Sequence, residues 1–280
     1  MNCLRAPAAL TTSGSIREWA IGSLTAGARM TDWILCIWWS GKGVRKQSLM
    51  QKDNDSSIND EKKSKKVIVD HDKEMKQEIN PQESIRANAF NLWISSPMPM
   101  VTLVKTLDVS RIVRMGKQEG YKFNLVLCWC IGKAACGIKE FYVLPEKGKL
   151  FHYDKLAINV IVVNDKGGIN SCVIPYTDNL QQFCHDYQKQ TTKAARECQS
   201  VFLDDHMVVG TSAMIQTELD CIVNQYTDQF CNPMVMWGKY RKGLFKTTLP
   251  VSFQFHHVQM DGGHAAHFLD ELQKTINSAR

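Results

Sequence analysis

The sequence has no apolar run long enough to cross a bilayer. Its longest candidate, from Trp33 to Trp39, covers seven residues, where a spanning helix needs roughly 20. That run also lies too deep in the chain, and is too poorly flanked, to read as a signal peptide. Zinc-ribbon cysteine spacing is missing too, and Cys128-Trp129-Cys130 is not a C-x-x-C pair. The ten cysteines sit largely in apolar runs such as Cys128, Cys130 and Cys136, which reads as buried free thiols in a reducing compartment. Neither sign of charge dominates: 34 Lys and Arg against 28 Asp and Glu leave +6 over 280 residues, a solvated surface with no call for nucleic acid or membrane. No internal repeat is visible. These absences point to a cytoplasmic protein.

With 44% hydrophobic and 22% charged residues, the composition is that of a globular domain. It is not uniform along the chain. Residues 1–74 mix Gly, Ser, Thr, Ala and Trp without period, then turn polar and end near Glu61-Lys62-Lys63-Ser64-Lys65-Lys66. Such a stretch buries too little apolar area to offset its ordering entropy, so it reads as a disordered extension ahead of a folded domain at 75–280.

Within that domain the patterns alternate between strand and helix. A helix is expected over Pro81 to Trp93, with Pro81 in the first turn. A strand is expected at Met100 to Leu107, and a helix capped by Asp108 runs to about Gly116. Asn124 to Cys136 is apolar on most sides and reads as a buried helix. Strands follow near Leu150 to Tyr153, Ala157 to Val163, Ile169 to Pro175, Met207 to Gly210, Cys221 to Val223, Met234 to Trp237 and Leu249 to His257. Helices are expected over about Asn179 to Glu197 and after Asp261, where Ala265, Phe268, Leu269, Leu272 and Ile276 share a face. Helices and strands mixed without strict alternation imply an α/β two-layer sandwich with a mixed β-sheet.

The densest chemistry is Phe255-His256-His257-Val258-Gln259-Met260-Asp261-Gly262. A histidine at a strand end is held rigidly, as a general base must be. By strand parity His257 shares the face of Phe253 and Phe255, and apolar surroundings favour the neutral imidazole that can accept a proton. Two other readings compete: a hydrogen-bonded core pair, or a zinc site drawing on His264 and His267, whose spacing matches no common zinc motif.

This H-H-x-x-x-D-G segment resembles the signature of the chloramphenicol acetyltransferase family. Gly210-Thr211-Ser212-Ala213, Arg86-Ala87-Asn88-Ala89-Phe90 and Trp237-Gly238-Lys239-Tyr240 resemble further family elements in the same order. The resemblance covers about residues 75–280 and implies the CoA-dependent acyltransferase superfamily fold. It also implies acetyl-CoA as cosubstrate, no metal, and a homotrimer with its active sites between subunits. On it, His257 is the catalytic base, Ser212 donates to the oxyanion, Arg86 and Asp261 form a structural ion pair, and Trp93 lines the acceptor pocket. The activity implied is acetylation of a hydroxyl of chloramphenicol or a similar small xenobiotic, and with it antibiotic resistance. Met75 to Pro81 also resembles the start of short family members, which makes the residues before it an extension or an early start site.

Departures from the family pattern concern the acceptor. Met214-Ile215-Gln216 follows Ser212-Ala213 where a Pro-Trp step is usual, and the pocket stretch reads Trp93-Ile94-Ser95-Ser96-Pro97. They leave another small alcohol or amine open as substrate. A dihydrolipoyl-type transferase acting on a thiol is disfavoured, because the chain has no lipoyl domain and no Ala/Pro-rich swinging linker. A non-catalytic trimer that kept the fold is the alternative from outside enzymology.

Overall fold

Strand pairing decides where the histidine doublet lands. The structure is a computed structural model that describes residues 76–227 and 230–280. The expected disordered extension, with its Trp-rich patch and lysine cluster, lies outside the described residues.

The elements in order are β1 (Gln77–Ile79), α1 (Ala87–Trp93), β2 (Met100–Asp108), α2 (Ser110–Glu119), α3 (Phe123–Cys136), β3 (Val143–Glu146), β4 (Lys149–His152), β5 (Leu156–Val163) and β6 (Ile169–Pro175). They continue with α4 (Leu180–Glu197), β7 (Met207–Met214), β8 (Met234–Gly238), β9 (Arg241–Lys242), β10 (Thr247–His256) and α5 (Gly262–Ser278). The main sheet runs β2-β10-β8-β7-β5-β6, with β9 paired to β10. It is mixed: β7 is parallel to both β5 and β8, and the other pairings are antiparallel. A small sheet, β1-β4-β3, stands apart.

Alternation along β10 sorts its side chains. Leu249, Val251, Phe253 and Phe255 are fully buried in the main core, each worth about 1.5–3 kcal/mol of burial. Phe253 packs on Phe141 and on Phe268 of α5. Helix α3 is buried nearly all round, from Leu125 to Ala135, because it lies against the sheet and also meets α2, α4 and α5. A Cβ on its Gly132 would stand 2.3 Å from the Tyr176 ring, so only glycine admits that ring. Helices α2 to α5 thus form one layer and the sheet the other, the two-layer α/β arrangement expected.

The opposite face of β10 carries Ser252, Gln254 and His256, all buried. The chain between β7 and β8 crosses this face as a strap. Ser252 Oγ accepts from Ile222 N at 2.8 Å, and Gln254 Nε2 donates to Asn224 O at 3.1 Å.

Three expectations need correction. Cys221 to Val223 forms no strand, because side chains of β10 take up the strap's backbone groups. The helix expected over Pro81 to Trp93 is broken. Pro81–Glu83 is a 3-10 turn capped by Asn80, Ser84 is extended, and helix resumes only at Ala87. Ser84 Oγ accepts from Arg86 N at 3.1 Å, a local bond that competes with helix. Strand β10 ends at His256, one residue short of the expected limit.

Candidate active site

The turn that follows β10 sets the two histidines apart. His257 N donates to Pro99 O at 2.8 Å, while Gln259 N and Met260 N turn back to His256 O at 2.9 and 3.3 Å. The His257–Pro99 bond continues the β10–β2 register, Pro99 has no N–H to return it, and the chain turns out of the sheet there, leaving His257 only part-buried. His256 is the buried member, 2% exposed. Its Nδ1 accepts from Val258 N at 3.1 Å, and burial pushes its pKa down to about 4, with the charge on His257 a smaller cause.

His257 is partly open, with 29% of its side chain exposed. Its ring stacks on Trp93 at 4.7 Å between centroids and 11° between planes. Nδ1 is buried and has no hydrogen-bond partner among the described residues. It lies 3.4 Å from Asp261 Oδ1, close enough to feel the charge but out of line for a hydrogen bond.

Arg86 ties this turn down. The residue is 9% exposed, and its guanidinium donates to Asp261 Oδ1 at 2.8 Å and to Asp261 Oδ2 at 2.5 Å. It also donates to the carbonyl oxygens of His257 at 2.7 Å and Val258 at 3.1 Å. This two-pronged contact is the strong, geometry-fixing form of an Arg–carboxylate pair. The Arg86 hydrogen bonds hold the Asp261 carboxyl below the usual carboxylate range. Sequence patterning missed Glu140, and it named His264 only as a candidate zinc ligand. His264 Nδ1 accepts from Asp261 N at 3.1 Å, and His264 Nε2 faces Glu140 Oε1 at 3.4 Å. The Asp261-x-x-His264 spacing is that of a helix-start capping box, a signal the sequence does carry. The zinc reading finds no support here: His264 is engaged by these partners, and His267 is exposed on α5.

Ser212 stands elsewhere. It is half-buried in β7, in register with Met236 of β8 and, through it, with Ser252 of β10. Thr211 beside it turns the other way and donates to Asn159 O at 2.7 Å. At about 3.3 Å per residue along β10 and about 4.8 Å per strand across the sheet, the Cα atoms of Ser212 and His256 lie roughly 16 Å apart. The structure thus brings Arg86, Trp93, His257 and Asp261 together and leaves Ser212 of the same chain out of reach.

Solved structures share this architecture. A chloramphenicol acetyltransferase superposes with a TM-score of 0.64 at 18% identity, covering 72% of this chain and 99% of that one. The truncated catalytic core of the 2-oxoacid dehydrogenase multienzyme complex from Thermoplasma acidophilum gives 0.53 at 14% identity, over 72% and 99% of the two chains. The fold is the one these two solved structures have. A family model described as chloramphenicol acetyltransferase matches residues 75–273. Chloramphenicol acetyltransferase 3 of Escherichia coli is 26% identical over 185 residues, 63% of this chain and 85% of that protein. The Bacillus pumilus chloramphenicol acetyltransferase is 22% identical over 198 residues, 69% and 90% of the two. The chain belongs to the chloramphenicol acetyltransferase family. Among the described residues, no helix is long and apolar enough to cross a membrane.

Proposed function

We propose that this protein transfers an acetyl group from acetyl-CoA to a hydroxyl of chloramphenicol or a similar small xenobiotic, and so confers resistance to it. His257 takes the proton of the acceptor hydroxyl, whose oxygen attacks the thioester carbonyl. Ser212 donates to the tetrahedral oxyanion. Collapse breaks the carbon–sulfur bond, and the proton passes from the imidazole to the departing thiolate. No acyl-enzyme forms, and no metal takes part. Trp93, stacked on the His257 ring, forms a wall of the acceptor pocket, while Arg86 and Asp261 hold the turn that carries the base. The catalytic domain is residues 75–280. The enzyme works in the cytoplasm.

The observation that carries this reading is the partly exposed His257 ring on a turn braced by Arg86 and Asp261. The roughly 16 Å between Ser212 and the doublet exceeds what the two side chains can span toward one reacting carbonyl. It supports a homotrimer in which Ser212 of one subunit meets His257 of the next. The acceptor itself is open to another small alcohol or amine, because Met214-Ile215-Gln216 and the Trp93 stretch depart from the usual family residues.

Two arms test this. Thiol release from acetyl-CoA is measured against a panel of acceptors including chloramphenicol and lipoamide, beside His257→Ala. Then His257→Ala and Ser212→Ala chains are co-expressed. Each variant alone loses turnover, and mixed assemblies regain part of it, since some interfaces pair an intact serine with an intact histidine. Activity that survives His257→Ala refutes the base, and mixed assemblies as inactive as their parents refute the shared site.

A further inference from the structure

Glu140 is a carboxylate with a reason to be somewhere else. It lies in the 3-10 turn Lys139–Tyr142 and is only 7% exposed, and acids are almost never so buried without a partner. The partner is His264, whose Nε2 stands 3.4 Å from Glu140 Oε1. His264 occupies the third position of α5, where a capping box ordinarily has Glu or Gln. There it performs the acceptor's task, taking the Asp261 N–H on Nδ1 at 3.1 Å. An imidazole that accepts on Nδ1 and is neutral carries its hydrogen on Nε2. The other tautomer, or the imidazolium, would set an N–H against the N–H of Asp261. The start of α5 has particular need of this bond, because Gly262 and Gly263 fill its first two positions and glycine loses the most freedom on entering a helix.

We infer that Glu140 and His264 are positioning residues for the catalytic base. The Glu140 carboxylate, 3.4 Å from Nε2, favours the Nε2–H tautomer of His264 through its charge. The free Nδ1 then fixes the Asp261 main chain at the helix start, and Asp261 presents its carboxylate to Arg86. Arg86 in turn grips the carbonyls of His257 and Val258. The geometry of the base is thus set from Glu140, which touches neither the base nor the Arg86–Asp261 pair in any hydrogen bond described. This assignment rests on the reading of His257 as the base.

The test has a spectroscopic arm and a kinetic arm, both on the full chain. In imidazole-labelled wild-type protein at neutral pH, nitrogen–proton correlation spectra show His264 neutral with its hydrogen on Nε2, and the Asp261 amide is slow to exchange. Glu140→Gln, whose amide can donate to Nε2 and favour the other tautomer, speeds that exchange. It also lowers kcat on the order of tenfold while the KM for acetyl-CoA stays within about twofold. His264→Gln restores the usual capping-box acceptor without needing Glu140 and keeps kcat near wild type, whereas His264→Leu loses it. In the His264→Gln background, Glu140→Gln then has no further effect on kcat.

A charged or Nδ1–H imidazole at His264 overturns the inference, as does an equal Glu140→Gln loss in both backgrounds. If Glu140→Gln fails to fold, the wild-type tautomer and the His264→Gln and His264→Leu comparison still decide. The spectroscopic arm is independent of catalysis. If His257→Ala retains turnover while the tautomer is as stated, the reading of the base fails and the capping network stands.

Discussion

Replacing Arg86 by Ala removes four charge-assisted hydrogen bonds at one stroke, two to Asp261 and one each to the carbonyls of His257 and Val258. Breaking a fully buried ion pair destabilises by roughly 3–5 kcal/mol, because the surviving charge is left uncompensated. Here only one partner is buried: the Arg86 side chain is 10% exposed and that of Asp261 is 45%. Water can therefore reach the orphaned carboxylate, and that part of the penalty is discounted. What remains is about 2–4 kcal/mol, or a fall of about 5–15 °C in Tm for a domain of this size. Arg86→Lys keeps the charge but not the fork and falls between wild type and Ala. The assay is thermal and urea unfolding at neutral pH and fixed protomer concentration, since any assembly adds to apparent stability. Turnover falls together with stability, because the same guanidinium anchors the carbonyl of His257, the proposed base. Asp261→Asn adds a sign check. The Asp261 pKa is depressed from its ordinary 3.8, so its stabilisation is present above that value and is lost as pH falls through the folded pKa. The gap between wild type and Asp261→Asn therefore narrows as the pH drops below 3.8. An Arg86→Ala protein that melts within about 1 °C of wild type and turns over normally would falsify the bracing argument.

Three shorter predictions follow from other parts of the molecule. Ser212→Ala lowers kcat on the order of 10²–10³-fold with little change in KM, and steady-state kinetics showing a loss below threefold would remove Ser212 from the oxyanion role. His256, held near 4 by burial against an ordinary 6.5, is neutral in the folded chain while the unfolded chain takes up its proton. Its contribution is complete above pH 6.5 and declines as pH falls toward 4, by up to about 3 kcal/mol. His256→Asn keeps an acceptor for Val258 N and flattens that slope in urea titrations, and an unchanged slope counts against the burial argument. Gly132→Ala forces a methyl to 2.3 Å from the Tyr176 ring and destabilises by about 1–3 kcal/mol; unaltered urea unfolding contradicts the close packing described.

Local pattern made much of the fold legible. Ile169–Pro175 reads as a strand from its apolar run and the Gly167-Gly168 turn, and α4 begins where Asn179 caps Gln182 N at 2.9 Å. The partnership of Arg86 with Asp261 was visible only through family resemblance, since 175 residues separate them. What pattern could not supply were bonds formed across the fold. The bonds of Gln259 N and Met260 N to His256 O turn the chain out of the sheet, and the strap buries the face of Ser252, Gln254 and His256, so parity alone did not show that His256 is the more buried histidine. Strands β1 and β3, three and four residues long, exist only because β4 pairs with both. The distance between Ser212 and the doublet depends on strand order, which periodicity does not contain. Glu140 and His264 are 124 residues apart in the chain, and neither announces the other.

The strap between β7 and β8 is gripped by Ser252 and Gln254 through its amide at 222 and its carbonyl at 224. Every amino acid except proline offers both of those atoms. The side chains at 222 and 224 can therefore be exchanged without loosening these two contacts. Variation at those two positions leaves the far end of β10 as it is.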